Sequence, residues 1–243
     1  MTLCDTHLHL FAPEWAGPVE TRLATAGQNN IELLLQPGVR SSGWDEMLAL
    51  ARKYPQVYAA PGLHPMCAEE WDEALAERLR TLCGSPEVLA IGEIGLDALL
   101  QVDMARQEKA FHGQLEIAGQ VDLPVLIHCR KKTTEVLAAL ERSQVRGIWH
   151  GFSGSLETAR RIIDLGFSLG IGPVLLRDNA RKLPEVVKKV PAESLVLETD
   201  APDMAGGPEV LGEVARKIAE LRGWTFAETA RITTANARRI LDL

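Results

Sequence analysis

Eight short, mostly apolar runs alternate with longer helical patterns along this chain of 243 residues. Strands that are buried on both faces have this short and continuously apolar character. The segments between the runs carry apolar residues at spacings of three and four, which is typical of helices, as in Trp71, Leu75, Leu79 and Leu82. The alternation predicts an α/β fold with a parallel sheet. The runs cover residues 3–6, 31–36, 57–62, 88–92, 124–127, 147–149, 167–171 and 195–199.

Eight β-α units in about 250 residues fit a TIM barrel, and we predict a single barrel domain over residues 1–243. The competing arrangement is a doubly wound open sheet, which would require a glycine-rich phosphate loop after an early strand. The sequence has no such loop. Polar residues also follow several different runs, as expected when active-site groups gather at the carboxyl ends of barrel strands.

The composition is that of an ordinary globular protein, with 46% hydrophobic residues, 24% charged residues and a formal net charge of −7. No stretch is apolar for long enough to span a bilayer, and no secretory signal is expected at the first residues. The four cysteines show no Cys-x-x-Cys spacing, so we interpret them as reduced thiols of a cytoplasmic protein. The acidic charge argues against tight, extended binding to DNA, but bound metal ions would still allow a nucleic-acid substrate.

Two histidines in the pattern His-x-His end the first run. Residues two apart in a strand point to the same face, so His7 and His9 can direct two imidazoles at one divalent cation. A lone histidine at a strand end is usually structural, but six ligand-type residues at five strand ends suit two divalent cations at one barrel mouth. Glu93 is placed to bridge the two cations and offset their mutual repulsion. The ligand types at the later runs are Glu93, His128, His150 and Asp200.

Six motifs, in order along nearly the whole chain, resemble those of the TatD family of metal-dependent deoxyribonucleases. They are DTHLH at 5–9, GLHP at 62–65, GEIGLD at 92–97, HCR at 128–130, HGFSGS at 150–155 and ETDAP at 198–202. The resemblance implies an amidohydrolase-type TIM barrel with two divalent cations, which hydrolyses phosphodiester bonds and typically removes nucleotides from DNA ends. It also implies the ligands: one cation with His7, His9 and Asp200, the other with His128 and His150, and Glu93 on both.

Four residues are candidates for direct roles in catalysis or substrate binding. Asp200 is the candidate general base, because it is both a ligand and close to the water that two cations would activate. His64 could hydrogen-bond a phosphate or steady the leaving oxygen, or it could be a structural loop residue. Arg130 could hold a phosphate bidentately, or form a salt bridge. Ser153 lies in a segment of small residues whose backbone N–H groups could bind an anion, or which could be a turn capped by Ser155.

Other polar residues near the motifs have less direct expected roles. Asp5 and Asp97 are expected to support the ligands rather than bind a cation. Glu198 shares a strand face with Asp200 and is expected in a buried polar network deeper in the barrel. Arg177 follows the seventh run and could reach substrate.

Several helix starts can be predicted from capping residues. Thr133 or Thr134 could cap the helix that precedes the sixth run. Ser155 could cap the next helix. Thr225 and Glu228 have the spacing of a capping box at the start of the last helix.

One segment departs from the resemblance. Family members usually carry a longer loop with a basic or amide residue and an Asn-x-Pro element after ETDAP, whereas here Asp203 to Gly207 lead directly into Pro208. Part of the substrate-binding rim is therefore expected to be missing.

We predict a metal-dependent DNase that acts on single-stranded or frayed ends and uses Mg²⁺, Mn²⁺ or Zn²⁺. DNA or a small phosphodiester would be a transient partner of a monomer that has no membrane contact. The alternatives are a hydrolase of a small lactone, amide or ester on the same barrel, and a non-catalytic protein that keeps a structural metal.

Overall fold

The computed structural model describes every residue from 1 to 243 and contains eight strands and nine α-helices. The strands are β1 (Leu3–Asp5), β2 (Ile31–Pro37), β3 (Val57–Ala60), β4 (Ile91–Asp97), β5 (Val125–Arg130), β6 (Gly147–Trp149), β7 (Phe167–Ile171) and β8 (Leu195–Leu197). One helix follows each of the first seven strands: α1 (Val19–Gln28), α2 (Trp44–Lys53), α3 (Glu73–Cys83), α4 (Met104–Val121), α5 (Thr133–Ser143), α6 (Leu156–Asp164) and α7 (Leu183–Lys189). Two helices follow β8, α8 (Leu211–Arg222) and α9 (Phe226–Ile240).

The strands form a closed parallel barrel. They pair in the order β1-β2-β3 and β4-β5-β6-β7-β8, and all pairs are parallel. Single bridges join the two groups, Ala59 with Val88 at one seam and Leu8 with Ala201 at the other. A hydrogen-bonded sheet without free edges and with a helix after each strand is the TIM barrel that the alternation predicted.

The barrel interior is apolar at the end where the strands begin. Leu126 of β5, Ile148 of β6 and Val196 of β8 belong to a compact apolar layer there, and Ala237 and Ile240 of α9 pack against it. Because side chains alternate along a strand, the residue two positions beyond each of these points into the interior nearer the carboxyl end. A larger cluster of 54 buried residues packs the helices onto the outside of the barrel.

Strands β6 and β7 have the predicted limits, whereas β4 does not. The predicted run began at Val88, but that residue makes only the single bridge with Ala59, and β4 spans Ile91 to Asp97. The pairing of β4 with β5 shifts register between Ile91 and Ile94. Glu93 therefore lies inside a strand, at an irregularity, rather than after its end.

Two of the three predicted caps are confirmed. Ser155 accepts the N–H of Thr158 at the start of α6, and Thr225 forms a capping box with Glu228 at the start of α9. The predicted threonine cap of α5 is wrong, since Thr133 is already helical and the residue before it makes no side-chain cap. None of the helices combines the length and apolarity that crossing a membrane would require.

Candidate metal centre

His7 and His9 lie beyond the regular part of β1, on an extended segment. Leu8 between them forms the bridge to Ala201 and is fully buried, so the two imidazoles point to the opposite side. Their Nε2 atoms are 3.2 Å apart. The strand geometry predicted from His-x-His therefore holds, although it is maintained by one bridge rather than by a continuous strand.

Asp5 holds this segment in place by hydrogen bonds. Its carboxylate accepts the backbone N–H of His7 at 3.2 Å, and both the N–H and the hydroxyl of Thr199, at 3.0 and 2.6 Å. Burial raises the pKa of Asp5 to about 7, although these hydrogen bonds oppose the shift. Asp5 thus joins the end of β1 to the segment after β8 and does not face the ligand cluster, as predicted.

Asp200 reaches the two histidines from the segment after β8. Its backbone has a φ of 50°, in the left-handed region that aspartate tolerates better than most residues. Its N–H donates to the carbonyl of His7 at 2.8 Å. The carboxylate Oδ1 then lies 3.4 Å from His9 Nε2 and 3.6 Å from His7 Nε2.

Glu93 lies between two pairs of imidazoles. Its Oε2 is 3.4 Å from His7 Nε2 and 3.8 Å from His9 Nε2. Its Oε1 is 2.6 Å from His128 Nδ1 and 2.7 Å from His150 Nε2. Each carboxylate oxygen therefore faces a different pair, and all six predicted ligands are brought together.

His128 is oriented by a second carboxylate. Its Nε2 lies 3.2 Å from Asp97 Oδ2, while its Nδ1 faces Glu93 and His150. With its Nε2 proton donated to Asp97, a neutral His128 would present the Nδ1 lone pair to a cation in the cluster. Asp97 is in turn held by the N–H of Leu99 at 2.8 Å.

His150 follows β6 and is backed by Glu198. The Oε1 atom of Glu198 accepts the N–H of Gly151 at 2.5 Å and lies 3.8 Å from His150 Nδ1. Gly170 makes room for this carboxylate, because a Cβ there would be 2.0 Å from Glu198 Oε2. Burial raises the pKa of Glu198 to about 8. The predicted buried network position of Glu198 agrees with this arrangement.

The cluster is buried, and its ionisable groups lie close enough to shift one another's pKa values. Burial opposes ionisation of Glu93, yet the imidazoles of His150, His128 and His7 hold its pKa well below the usual range. Burial and the neighbouring His150 lower the pKa of His7 to about 4. His7 is therefore a neutral imidazole with a lone pair, next to ionised carboxylates. Burial opposes protonation of the other imidazoles, but Glu93 raises the pKa of His150 to about 10, and carboxylates likewise raise the pKa of His9 and His128. Two ionised carboxylates that attract positive charge among imidazole nitrogens are the donor set of a divalent cation, so the residues fit such an ion.

His64 lies against this cluster. Its ring is edge-on to that of His128, with centroids 4.4 Å apart. Its Nδ1 accepts the N–H of Met66 at 3.1 Å, which leaves the proton of the neutral ring on Nε2. Burial lowers the pKa of His64 to about 4. The residue is thus a neutral donor beside the ligands, and it also holds the turn after β3.

Arg130 and Ser153 make no hydrogen bond or ion pair with the six ligands. Both line a cavity of about 320 Å³ beside them, and Arg130 is exposed and forms no ion pair, so the salt-bridge alternative does not apply. Arg177 is also exposed, and its Nη2 lies 3.8 Å from Met204 Sδ in the short segment after β8.

Sequence reasoning missed one carboxylate, Asp203. Ligand atoms of His9, Asp200 and Asp203 lie within 4.8 Å of one another. The only signal in the sequence is a third acidic residue soon after Glu198 and Asp200, in the segment predicted to be a shortened loop.

Comparisons with known proteins agree with this geometry. The family model of the TatD related DNases matches residues 4–242. The metal-dependent hydrolase YjjV of Escherichia coli K12 is 34% identical over 98% of this chain and 97% of its own length. The 3'-5' ssDNA/RNA exonuclease TatD of Salmonella typhimurium is 30% identical over 98% of both chains.

Solved structures show the same relationship. The crystal structure of the E. coli TatD homologue YjjV superimposes with a TM-score of 0.93 and 33% identity, covering 99% of this chain and 98% of the other. A phosphotriesterase homology protein of E. coli, at 16% identity and a TM-score of 0.72, shares the fold. The predicted hydrolase fold and the use of divalent metal are confirmed at this level. The chain is a hydrolase that belongs to the family of TatD related DNases.

Proposed function

We propose that this protein is a metal-dependent exonuclease that removes nucleotides from single-stranded or frayed DNA ends. The observation that carries the proposal is the position of Glu93, whose two carboxylate oxygens each face a separate pair of imidazoles. A carboxylate with this arrangement is suited to bridge two divalent cations, as in two-metal phosphodiesterases.

The proposed ligand sets follow from the distances around Glu93. One cation would be held by His7, His9, Asp200 and Glu93 Oε2, and the other by His128, His150 and Glu93 Oε1. Four imidazoles favour Zn²⁺ or Mn²⁺ over Mg²⁺, although all three could be tested. Cations bound there would polarise the phosphoryl oxygen and activate the attacking water.

The chain's own groups supply the rest of the proposed mechanism. Asp200 accepts the proton of the attacking water, because its carboxylate stays ionised: burial opposes this, but His9, His150 and His7 lower its pKa. His64 is a neutral imidazole that can donate its Nε2 proton to the phosphate or to the leaving oxygen. Arg130 and Ser153 would bind substrate phosphate at the rim.

The substrate class is supported by the relatives. The Salmonella protein is named as a 3'-5' ssDNA/RNA exonuclease, and a Cronobacter sakazakii protein of the same name is 32% identical over 97% of this chain and 96% of its own length. The net charge of −7 favours short contacts at a strand end over a long duplex footprint.

The test is an assay on end-labelled oligonucleotides with Mg²⁺, Mn²⁺ or Zn²⁺ added to metal-free protein. We expect stepwise shortening of single strands, slower attack on blunt duplexes, and loss of both in Asp200→Asn. A panel of lactones, amides and esters is assayed on the same samples. Turnover of a carbonyl compound without any shortening of DNA would overturn the proposal in favour of the carbonyl hydrolase alternative.

We also propose that residues 1–243 act as one domain and as a monomer in the cytoplasm. The cluster of 54 buried residues includes both Leu3 and Ala230, which supports one domain. The large exposed apolar residues are few, which supports a monomer: Met1, Met66, Leu99 and Leu243. The four cysteines are all free, which supports a reducing compartment.

A further inference from the structure

The cavity beside the ligand cluster lies between the segments that follow β5 and β6. On β5, Arg130 stands two residues beyond His128, and on the other side Gly151 follows His150 directly. Trp149 and Phe152 are buried and form part of its wall. The cavity is therefore lined by residues that neighbour His128 and His150 in the chain, although neither histidine lines it.

The charge around this cavity is entirely positive. No aspartate or glutamate lines its volume of about 320 Å³, in a chain whose net charge is −7. Arg130 and Lys131 line it and form no ion pair, whereas the adjacent Lys132 is paired with Glu135 at 2.7 Å. Two unpaired cations that share an acid-free cavity attract an anion.

Neutral hydrogen-bond donors complete the lining. Ser153 and Gly154 line the cavity, and their backbone N–H groups have no acceptor within the protein. Helix α6 begins directly after this segment, so its dipole adds positive potential. The volume is at the lower end of the range for small-molecule sites and accommodates a phosphate with part of its nucleoside.

The position of Arg130 separates this cavity from the metal centre. A strand rises by about 3.3 Å per residue, so the backbone of Arg130 lies roughly 7 Å beyond that of His128. A phosphate at the Glu93 cluster would be attacked there, and the cavity would hold the neighbouring phosphate of the same strand.

We propose that this cavity is a subsite for the phosphate that flanks the scissile phosphodiester, with Arg130, Lys131 and Ser153 as its donors. The inference rests on the proposed nuclease function. This subsite explains how an acidic protein with a short segment after β8 can bind the end of a nucleic acid. The binding contacts are concentrated on one phosphate, next to the scissile bond.

The first test compares two substrates. One is the p-nitrophenyl ester of thymidine 5'-phosphate, which carries a single phosphate, and the other is a dinucleotide with an additional terminal phosphate. We expect the preference for the second substrate, measured as the ratio of kcat/KM values, to fall about tenfold in Arg130→Ala. Arg130→Lys should restore part of it, because lysine keeps the charge but not the fork. The matched control is Arg142→Ala, an exposed and unpaired arginine at the end of α5.

An unchanged ratio of kcat/KM values in Arg130→Ala would overturn the subsite. An equal loss of kcat/KM on both substrates would also overturn it, because that result would place Arg130 at the scissile phosphate. If the wild-type protein cleaves neither substrate, the proposed function fails and the subsite is decided by binding alone. In that measurement thymidine 3',5'-bisphosphate should bind the metal-loaded protein about tenfold more tightly than thymidine 5'-monophosphate, and Arg130→Ala should remove the difference. Equal binding of the two nucleotides to wild type would overturn the inference.

Discussion

The two ends of the barrel interior are built by the same strands but carry opposite kinds of side chain. On β5, Leu126 belongs to the apolar layer and His128 to the ligand cluster, and the same relation holds for Ile148 of β6 and His150 directly after that strand. Only two residues, or one full alternation of the strand, separate the two layers. A small displacement along a strand therefore changes a position from one that stabilises the barrel to one that performs chemistry.

The layers also differ in what their burial does to the free energy of unfolding. The apolar layer, closed by α9, gains stability from the surface it removes from water. The ligand layer places carboxylates and imidazoles out of water, which costs free energy until a cation or hydrogen bonds compensate. We therefore expect mutations in one layer to act on stability and mutations in the other to act on turnover.

Removal of metal should have the largest effect. Treatment with a chelator is expected to abolish activity completely, while the apolar layer keeps the barrel folded, as circular dichroism would show. Restoring Zn²⁺ or Mn²⁺ at a hundred times its Kd should recover turnover and add about 2.7 kcal/mol to the free energy of unfolding. Activity that survives exhaustive chelation would contradict the metal centre.

The substitution Asp200→Asn should have the second largest effect on activity. Loss of the general base and of one ligand charge should lower kcat by about a thousandfold. The asparagine can still occupy the left-handed backbone position, so the unfolding midpoint should change little. Asp164→Asn, at the exposed end of α6, is the control for removing a charge. A large loss of stability in Asp200→Asn would contradict the expectation that mutations in the ligand layer act on turnover alone.

Leu126→Ala tests the apolar layer. The side chain is fully buried, and its truncation leaves a cavity, so the free energy of unfolding should fall by about 3 kcal/mol. Below the unfolding transition kcat should stay close to that of wild type. Chemical denaturation and steady-state kinetics on one preparation check both expectations. A large fall in kcat of Leu126→Ala under conditions in which the variant is fully folded would show that the apolar layer also affects catalysis.

Glu198 lies on the ligand side of the barrel without being one of the six ligands, and it should give an intermediate result. Glu198→Ala removes the acceptor of the Gly151 N–H and the neighbour of His150, and metal affinity should fall about tenfold. Glu198→Gln keeps an oxygen that can accept the same N–H and should lose less. Metal titration followed by calorimetry distinguishes the two. Equal losses would mean that the charge, rather than the hydrogen bond, positions His150.

The smallest effect is expected for a mutation in α9, at the end of the barrel away from the ligand layer. Thr225→Ala removes the capping box of α9, the helix that closes the apolar end, and should cost about 1 kcal/mol of stability. Turnover should not change. Thermal unfolding of Thr225→Ser, which keeps the hydroxyl, provides the control. Any drop in kcat for Thr225→Ala would again argue against independent layers.

Much of the fold could be predicted because its signals are local. Runs 147–149 and 167–171 have the limits of β6 and β7, since each is apolar and bounded by helical patterns. Strand β4 was misplaced because its residues, GEIGLD, include two glycines and two acids and do not look like a buried strand. Pairing with β5 makes this segment a strand, and the pairing is not visible in the local pattern.

The sequence by itself determined the alternation of strands and helices, the chemical types of the six ligands and the family motifs, because these are properties of neighbouring residues. The tertiary structure decided how the ligands share Glu93, which nitrogen of His128 faces the cluster, and that Arg130 borders a cavity without acids. The physical reason is sequence distance. Glu93 meets His128 across 35 positions and Asp5 meets Thr199 across 194, and only closure of the barrel brings such groups within hydrogen-bonding range.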